Sequence, residues 1–267
     1  MKTQTIDSII SKHNYITPLQ YIFSSDIWEY DIKQANINAL RATNSISDEQ
    51  YQYLSNVPKD IREIYIGKLQ REDNTLKEKI SKGIELAKLE FAHQNNMNIN
   101  NIIRIANDSI YYCSPYVIDN RFININGHIL EFVIKNHFTS FLNLNRVLLF
   151  LNLNNSEEWV IDIKGINDSL HKYHEDFLTA VCSIVQAKRN AGTKLALNIF
   201  NKYYEDYVNR RLSINNYREF NADSCFRIST KFATYLYPAV ENININIIDI
   251  NYNLFLLRNL YSYILIE

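Results

Sequence analysis

Residues 102–112 read IIRIANDSIYY, which is two short apolar runs separated by a polar pair. Isoleucine and tyrosine favour extended strands, and the side chains of an Asn-Asp pair bond nearby backbone groups in tight turns. The segment therefore predicts either one strand or two strands joined by a turn at Asn107–Asp108. A charged side chain beside apolar strands resists burial unless it is paired or bound to a metal, so Asp108 is a candidate functional residue.

A second aspartate has a similar setting near the start of the chain. Residues 27–32 read IWEYDI, an alternation that predicts a strand with Asp31 near its end. Two aspartates on neighbouring strands would form an oxygen-lined site of the kind that Mg²⁺ prefers, where Mn²⁺ can replace it. Two metal ions held there can stabilise the attacking and leaving oxygens of a phosphoryl transfer. The alternative is that Asp108 is only a turn residue and Asp31 only caps a strand.

The rest of the chain alternates between helical and extended patterns. Ser47, followed by two acidic residues, predicts the start of a helical region that continues to about residue 96. Asn126–Gly127 is a strong hairpin signal, and residues 147–153 (VLLFLNL) predict a buried strand. Residues 169–213 are again helical in pattern, whereas the apolar run at 253–266 fits either a helix or a strand. This order predicts an α+β protein with a mostly antiparallel sheet.

The amino-acid composition indicates what kind of protein this is. With 5 glycines and 4 prolines in 267 residues, long structureless linkers are not expected. The net charge of −1 means that any nucleic-acid binding must use local basic faces. Three widely spaced cysteines and no run of about 18 apolar residues predict a cytoplasmic protein without a membrane span. The abundance of Ile, Asn, Lys and Tyr indicates an AT-rich source such as a phage or plasmid.

Several segments, in order, resemble family B DNA polymerases. The stretch EYDIKQANINAL (29–40) resembles their motif A, and IIRIANDSIYY resembles their motif C through Asp108–Ser109. Between them, ISKGIELAKLEF (80–91) resembles the palm helix that precedes motif C. Further on, EEWVIDIKGIND (157–168) resembles the strand whose Lys-Gly pair contacts the primer–template duplex. The resemblance covers roughly residues 25–215.

The resemblance implies a palm-like sheet with a helical fingers-like insertion and a helical thumb-like region. The corresponding divisions are a lead-in at 1–26, a palm-like domain at 27–168 with the insertion at 48–96, and a thumb-like region and tail at 169–267. Asp31 and Asp108 would be the catalytic, metal-binding residues. The implied partners are primed DNA or RNA templates, nucleoside triphosphates and other replication proteins, in the cytoplasm of a host cell.

Basic and polar residues near the motifs complete the expected site. Contacts with the incoming nucleotide are expected from Asn36, which stands where the family's ribose-screening tyrosine falls, and from Lys68, Arg71 and Lys82. Contacts with the nucleic-acid backbone are expected from Lys164, Gly165, Lys188 and Arg189. The alternative for these cations is an ordinary solvated helix face.

The sequence also departs from the family pattern. Ala106 and Asn107 replace the first motif C aspartate and the threonine after it, and the two aspartates are only 77 positions apart. A weaker resemblance to reverse transcriptases rests on Asp31-Ile32-Lys33 and on residues 104–108 (RIAND). The departures keep open an inactive polymerase-derived subunit that binds nucleic acid or supports assembly, and an unrelated α+β interaction protein. His171 and His174, three positions apart, predict a wet helix face rather than a metal site.

Overall fold

The computed structural model describes residues 5–12, 14–22, 25–144, 147–153, 159–166, 168–220, 224–231, 233–238 and 243–266. The helices formed there are α1 (Ile6–Ile10), α2 (Ala35–Ala42), α3 (Asp48–Asn56), α4 (Lys59–Glu72), α5 (Leu76–Gln94), α6 (His171–Ala191), α7 (Thr193–Val208) and α8 (Asn251–Ile264). The strands are β1 (Tyr15–Ile16), β2 (Tyr21–Ile22), β3 (Ile27–Ile32), β4 (Ile102–Ala106), β5 (Ser109–Cys113), β6 (Phe122–Ile125), β7 (His128–Phe138), β8 (Ser140–Leu144), β9 (Val147–Leu153), β10 (Trp159–Lys164), β11 (Phe226–Ser229) and β12 (Thr234–Tyr237).

The chain is an α+β protein whose sheets are antiparallel, as predicted. It divides into two compact units. The first contains Met1–Pro18 and Ser25–Phe138, and the second contains Leu19–Ser24 and Thr139–Glu267. No helix in the parts of the chain described by the structure combines the length and the apolar character needed to cross a bilayer.

The first unit is built on a six-stranded sheet with the order β1-β4-β5-β3-β7-β6. Both β3 and β4 are antiparallel to β5, which lies between them, so β3 and β4 are parallel to each other. Helices α2 to α5 connect these two parallel strands. A strand–helix–strand unit with another strand inserted between its parallel strands is the split βαβ arrangement.

Local signals explain where these elements begin and turn. The Ser47 hydroxyl accepts from the Gln50 amide at 3.1 Å, and the Gln50 side chain accepts from the Ser47 amide at 2.9 Å. This reciprocal capping box starts α3. Between β6 and β7, Asn126 and Gly127 both have positive φ angles, 53° and 85°, as a two-residue hairpin turn requires.

One face of the six-stranded sheet packs against the helices. Tyr30 and Ile32 of β3 lie in a continuous apolar core with Ile110 of β5, Phe132 of β7 and Phe91 of α5. Because successive strand residues point to opposite faces, Glu29 and Asp31 project from the other face. The two acidic residues of β3 therefore lie on the face of the sheet opposite the helices.

The second unit packs a four-stranded sheet, ordered β10-β9-β8-β2, with α6, α7 and α8. The apolar side chains of β8 and β9 share a core with Val181 of α6, Phe200 of α7 and Leu257 of α8. The run that fitted either a helix or a strand is helix α8, whose buried residues recur at helical spacing. A two-stranded hairpin, β11–β12, also belongs to this unit.

These units differ from the divisions drawn on the sequence. The sequence assigned residues 139–168 to the palm-like domain, whereas the contacts place Thr139 onward in the second unit. The physical reason is that β8 and β9 bury their leucines against α6 and α8 and pair with each other. The helices in the region expected to be thumb-like, 169–267, share a core with β8 and β9.

Candidate functional site

Asp31 is the second-to-last residue of β3, and the Asn107–Asp108 turn joins β4 to β5, as predicted for both segments. Antiparallel pairing sets Asp31 opposite Ser109, the residue after Asp108. The Ile32 amide also donates to the Asp108 carbonyl at 3.1 Å. The structure therefore brings the two aspartates together at one end of the β3–β5 pair.

The electrostatics of Asp31 follow from this arrangement. Burial raises the pKa of its carboxyl, and the negative charge of Asp108 raises it further, while Lys135 acts in the opposite direction. Oδ1 of Asp31 is buried, and no hydrogen-bond partner for it is found among the residues that the structure describes. A buried carboxylate oxygen without a hydrogen bond can still bind a positively charged partner.

Lys135 of β7 supplies the nearest positive charge. Its Nζ lies 3.2 Å from Oδ2 of Asp31 and 3.9 Å from Oε1 of Glu29. The register of β7 against β3 shifts at this point, since Glu29 pairs with Asn136 and Tyr30 pairs with Ile134. Lys135 is therefore the extra residue of a β-bulge, and bulges re-aim side chains in this way. Burial alone would lower the pKa of Lys135. Attraction by Asp31, Glu29 and Asp108 outweighs this effect, so the pKa of Lys135 is raised.

Glu29 lies on the same face of β3 and is only 2% exposed. Its Oε1 accepts a hydrogen bond from the Tyr111 hydroxyl at 2.7 Å, and its Oε2 accepts one from the Asn136 amide at 2.5 Å. Sequence reasoning missed Glu29 and Lys135. The signal for Glu29 was available, because it precedes Asp31 by two positions in an alternating strand.

Lys88 of α5 lies beneath the Asn107–Asp108 turn and is fully buried. Its Nζ donates to the Asn107 carbonyl at 2.7 Å, so the helix is tied directly to the turn. Burial lowers the pKa of Lys88 to about 8, although attraction from Asp108 and Glu85 partly offsets that effect. Sequence reasoning missed Lys88 too, although its position four residues after Ile84 places it on the apolar face of the helix.

The donor set fits a hard divalent cation in part. Carboxylate oxygens are the ligands that Mg²⁺ and Mn²⁺ favour, and Mg²⁺ usually keeps several waters and takes only one or two protein carboxylates. The unpartnered Oδ1 of Asp31 is an available ligand atom. No group of three or more His, Cys, Asp or Glu side chains is placed to hold a metal ion among the described residues. Asp31 and Asp108 would therefore rely on water and substrate oxygens for the remaining ligands.

The four expected nucleotide contacts lie in the first unit but are dispersed. Lys68 and Arg71 are exposed on α4, and Lys82 is exposed on α5, where it pairs with Glu85 at 3.3 Å. Asn36 of α2 donates to Glu63 of α4 at 2.8 Å. Within the described part of the chain, the structure gives no ion pair between these cations and either aspartate. Their role at the site stays a prediction.

The four expected nucleic-acid contacts lie in the second unit. Lys164 pairs with Asp162 of its own strand at 2.9 Å, and Gly165 follows with a φ of 91°. Lys188 has an internal function, because its Nζ donates to Thr193 at 2.6 Å and to the Ile266 carbonyl at 2.5 Å. These bonds connect the end of α6 to the start of α7 and to the second residue after α8, so the Lys188 ammonium group is not free. Arg189, beside it, is half-buried.

The histidine pair of α6 is not a wet helix face. His174 is 1% exposed, its Nε2 lies 2.8 Å from the Ser224 hydroxyl, and its ring stacks on Phe220. Burial lowers the pKa of His174 to about 4. His171 instead lines a cavity of about 550 Å³ beside α6, together with Ile163, Lys172, Glu175, Leu178, Thr179, Cys182, Ser183 and Gln186.

Comparison with known proteins places the chain in a family. No curated protein matches the sequence. The family model described as "Bacteriophage PBS1 gene 130 protein" matches residues 4–266. That description supports the phage origin indicated by the composition, and it names no activity. Because the match spans nearly the whole sequence, the chain belongs to the bacteriophage PBS1 gene 130 protein family.

Proposed function

We propose that this phage protein is a DNA polymerase-like nucleotidyltransferase in which Asp31 and Asp108 bind Mg²⁺. The observation that carries the proposal is their convergence: β3 ends beside the β4–β5 turn, and the two carboxyl groups interact electrostatically. Aspartates far apart on the sheet would have left no basis for it. The proposed substrates are a primed DNA or RNA template and nucleoside triphosphates, and other replication proteins are proposed partners.

The topology of the first unit adds support. The motif A-like strand β3 and the motif C-like hairpin β4–β5 are neighbours in one antiparallel sheet. Helices α2 to α5 occupy the connection between them, where the resemblance expects a palm helix and a short fingers-like insertion. Apolar side chains pack on the helical side, so the acidic residues of β3 occupy the side opposite the helices.

Each residue of the site has a proposed task. Asp31 and Asp108 bind the cation through their carboxylates, and Lys88 holds the turn that carries Asp108 through its hydrogen bond to Asn107. When bound, Mg²⁺ would supply charge neutralisation at the reacting phosphate and lower the pKa of the primer hydroxyl. Glu29 is fixed by Tyr111 and Asn136 and contributes negative charge beside Asp31.

The test is incorporation of labelled nucleotides with Mg²⁺ or Mn²⁺ on primed and unprimed templates. We expect Asp31→Asn and Asp108→Asn each to lower the rate by at least about 100-fold, because loss of several kcal/mol of charge stabilisation is involved. Asp119→Asn is the matched control, since Asp119 is exposed in a loop of the same unit. Absence of incorporation by the wild-type protein, with normal DNA binding, would refute the catalytic proposal.

The second candidate is a catalytically inactive, polymerase-derived subunit that binds nucleic acid or supports assembly. The Lys135–Asp31 ion pair favours it, because an ammonium ion already compensates one of the two carboxylates. Ala106 and Asn107 in the motif C-like segment favour it too. On this reading Asp31→Asn and Asp108→Asn leave nucleic-acid binding unchanged, and no variant or wild-type protein incorporates nucleotide.

A further inference from the structure

Lys135 places an ammonium group on the same Asp31 carboxylate that the proposed divalent cation would use. Lys135 Nζ lies 3.2 Å from Oδ2 of Asp31, whose side chain is 17% exposed. The Lys135 side chain is 55% exposed, so its ammonium group reaches the carboxylate from the solvent side. A lysine has a flexible four-carbon stem, so the exposed Lys135 side chain can withdraw its ammonium group into solvent.

The neighbouring carboxylate does not need this lysine. Glu29 already accepts hydrogen bonds from Tyr111 and Asn136, one on each oxygen, and its Oε1 is 3.9 Å from Lys135. Asp31 differs, because Lys135 lies on one of its oxygens and the described part of the chain offers no hydrogen-bond partner to the other. The bulge in β7 therefore aims Lys135 at Asp31 in particular.

We propose that Lys135 is an internal counter-cation that competes with a divalent cation for Asp31. Without the divalent cation, the ammonium group compensates the charge that Asp31 and Asp108 concentrate at the end of the β3–β5 pair. When a divalent cation binds, Lys135 moves out toward solvent and is available to a phosphate group. The inference rests on the proposed function, since it assumes that Asp31 is a cation ligand.

The chain offers a matched control for this competition. Lys33, directly after β3, pairs with Glu131 of β7 at 2.7 Å, and its side chain is 57% exposed. It therefore resembles Lys135 in exposure, in its carboxylate partner and in its place at the β3–β7 pair. Lys33→Gln removes the same unit of charge from the same sheet without touching Asp31.

The experiment measures Mn²⁺ affinity by electron paramagnetic resonance of the free ion, using the full chain. The variants are Lys135→Gln, Lys33→Gln and the double variant Asp31→Asn with Lys135→Gln. We expect Lys135→Gln to bind Mn²⁺ at least about fivefold more tightly than the wild type, because a competing charge near 3 Å is removed. The Mn²⁺ affinity of Lys33→Gln should stay within about twofold of the wild type. The double variant should not show the tighter binding expected for Lys135→Gln. Far-UV circular dichroism checks that each variant is folded.

The outcomes separate this inference from the proposed function. Equal affinity of wild type and Lys135→Gln, with affinity lost in Asp31→Asn, would overturn the competition and leave the cation site intact. Weaker binding by Lys135→Gln would make Lys135 a support of the site and would also overturn it. If no form binds Mn²⁺, the cation site itself fails, and the competition fails with it.

Discussion

At Gly83, helix α5 comes close to the backbone of α2, and this contact allows a quantitative test of the first unit. A Cβ atom added there would lie 2.6 Å from the Ala39 carbonyl oxygen and 2.8 Å from the Ala39 Cα and Cβ. These neighbours are backbone atoms and the first side-chain carbon, so no flexible side chain can move aside. Replacing Gly83 with alanine must push the two helices apart.

The expected magnitude follows from two opposing terms. Alanine favours a helix interior over glycine by about 1 kcal/mol. Overpacking of a close contact costs about 1–3 kcal/mol, and more where backbone atoms must shift. The Ala39 contacts involve backbone atoms at 2.6–2.8 Å, which places the overpacking cost in the upper part of this range, at about 2–3 kcal/mol. After the gain of about 1 kcal/mol from helix propensity, we expect Gly83→Ala to lower the free energy of unfolding of the first unit by about 1–2 kcal/mol. The shift of α5 would also displace Lys88 from the Asn107 carbonyl.

Gly67 provides the matched control, because it lies inside α4 and an added Cβ would meet nothing within 4 Å. Gly67→Ala should raise the free energy of unfolding by about 0.5–1 kcal/mol from helix propensity alone. The assay is urea unfolding followed by far-UV circular dichroism. The same glycine-to-alanine substitution should thus change the free energy of unfolding in opposite directions at the two positions. If Gly83→Ala is as stable as the wild type, the close approach of α5 to α2 is refuted.

The remaining predictions concern stability. His174 has a pKa of about 4, below its usual 6.5, so the unfolded chain binds the proton first and the free energy of unfolding falls as pH drops from 6.5 towards 4. This loss reaches about 2 kcal/mol at pH 5, and His174→Gln should remove it from urea unfolding curves; an unchanged pH slope would contradict the assignment. Ser47→Ala deletes the capping box of α3 and should cost about 1 kcal/mol in the same assay, whereas Ser55→Ala, late in that helix, should cost less.

Features governed by neighbouring residues could be predicted from the sequence. The turns at Asn107–Asp108 and Asn126–Gly127 were both located, because the side chains that favour them lie within the turn itself. The start of α3 at Asp48 was located for the same reason. In each case the interacting atoms are at most a few residues apart, so the local sequence contains the whole interaction.

Features that depend on distant partners could not be predicted. The apolar run of α8 satisfies both a helix and a strand, and only its packing against the second core decides between them. The boundary between the two units at residue 138 likewise depends on the packing of β8 and β9 against α6 and α8. No local pattern distinguishes one apolar surface from another as the partner of these strands.

The candidate site shows the same limit. Asp31 and Asp108 were singled out because each is an unusual residue for its own segment. Lys135 could not be singled out in this way, because an exposed lysine is an ordinary residue in a strand. Its place beside Asp31 follows only from the β3–β7 register and its bulge. Lys88 was missed because its apolar helix face looked like ordinary core with one charged residue beside it.

The central position of β3 has a consequence for how the protein is made. Its two neighbours, β5 and β7, come about 80 and about 100 residues later in the chain, so β3 takes part only in pairings of high contact order. Helices α3 to α5 can begin to form during translation, but Asp31 acquires its full set of neighbours, which includes Lys135, only after β7, which ends at Phe138, has left the ribosome. A nascent chain that extends past Asp108 but ends before Phe138 would contain both aspartates without the complete sheet around them.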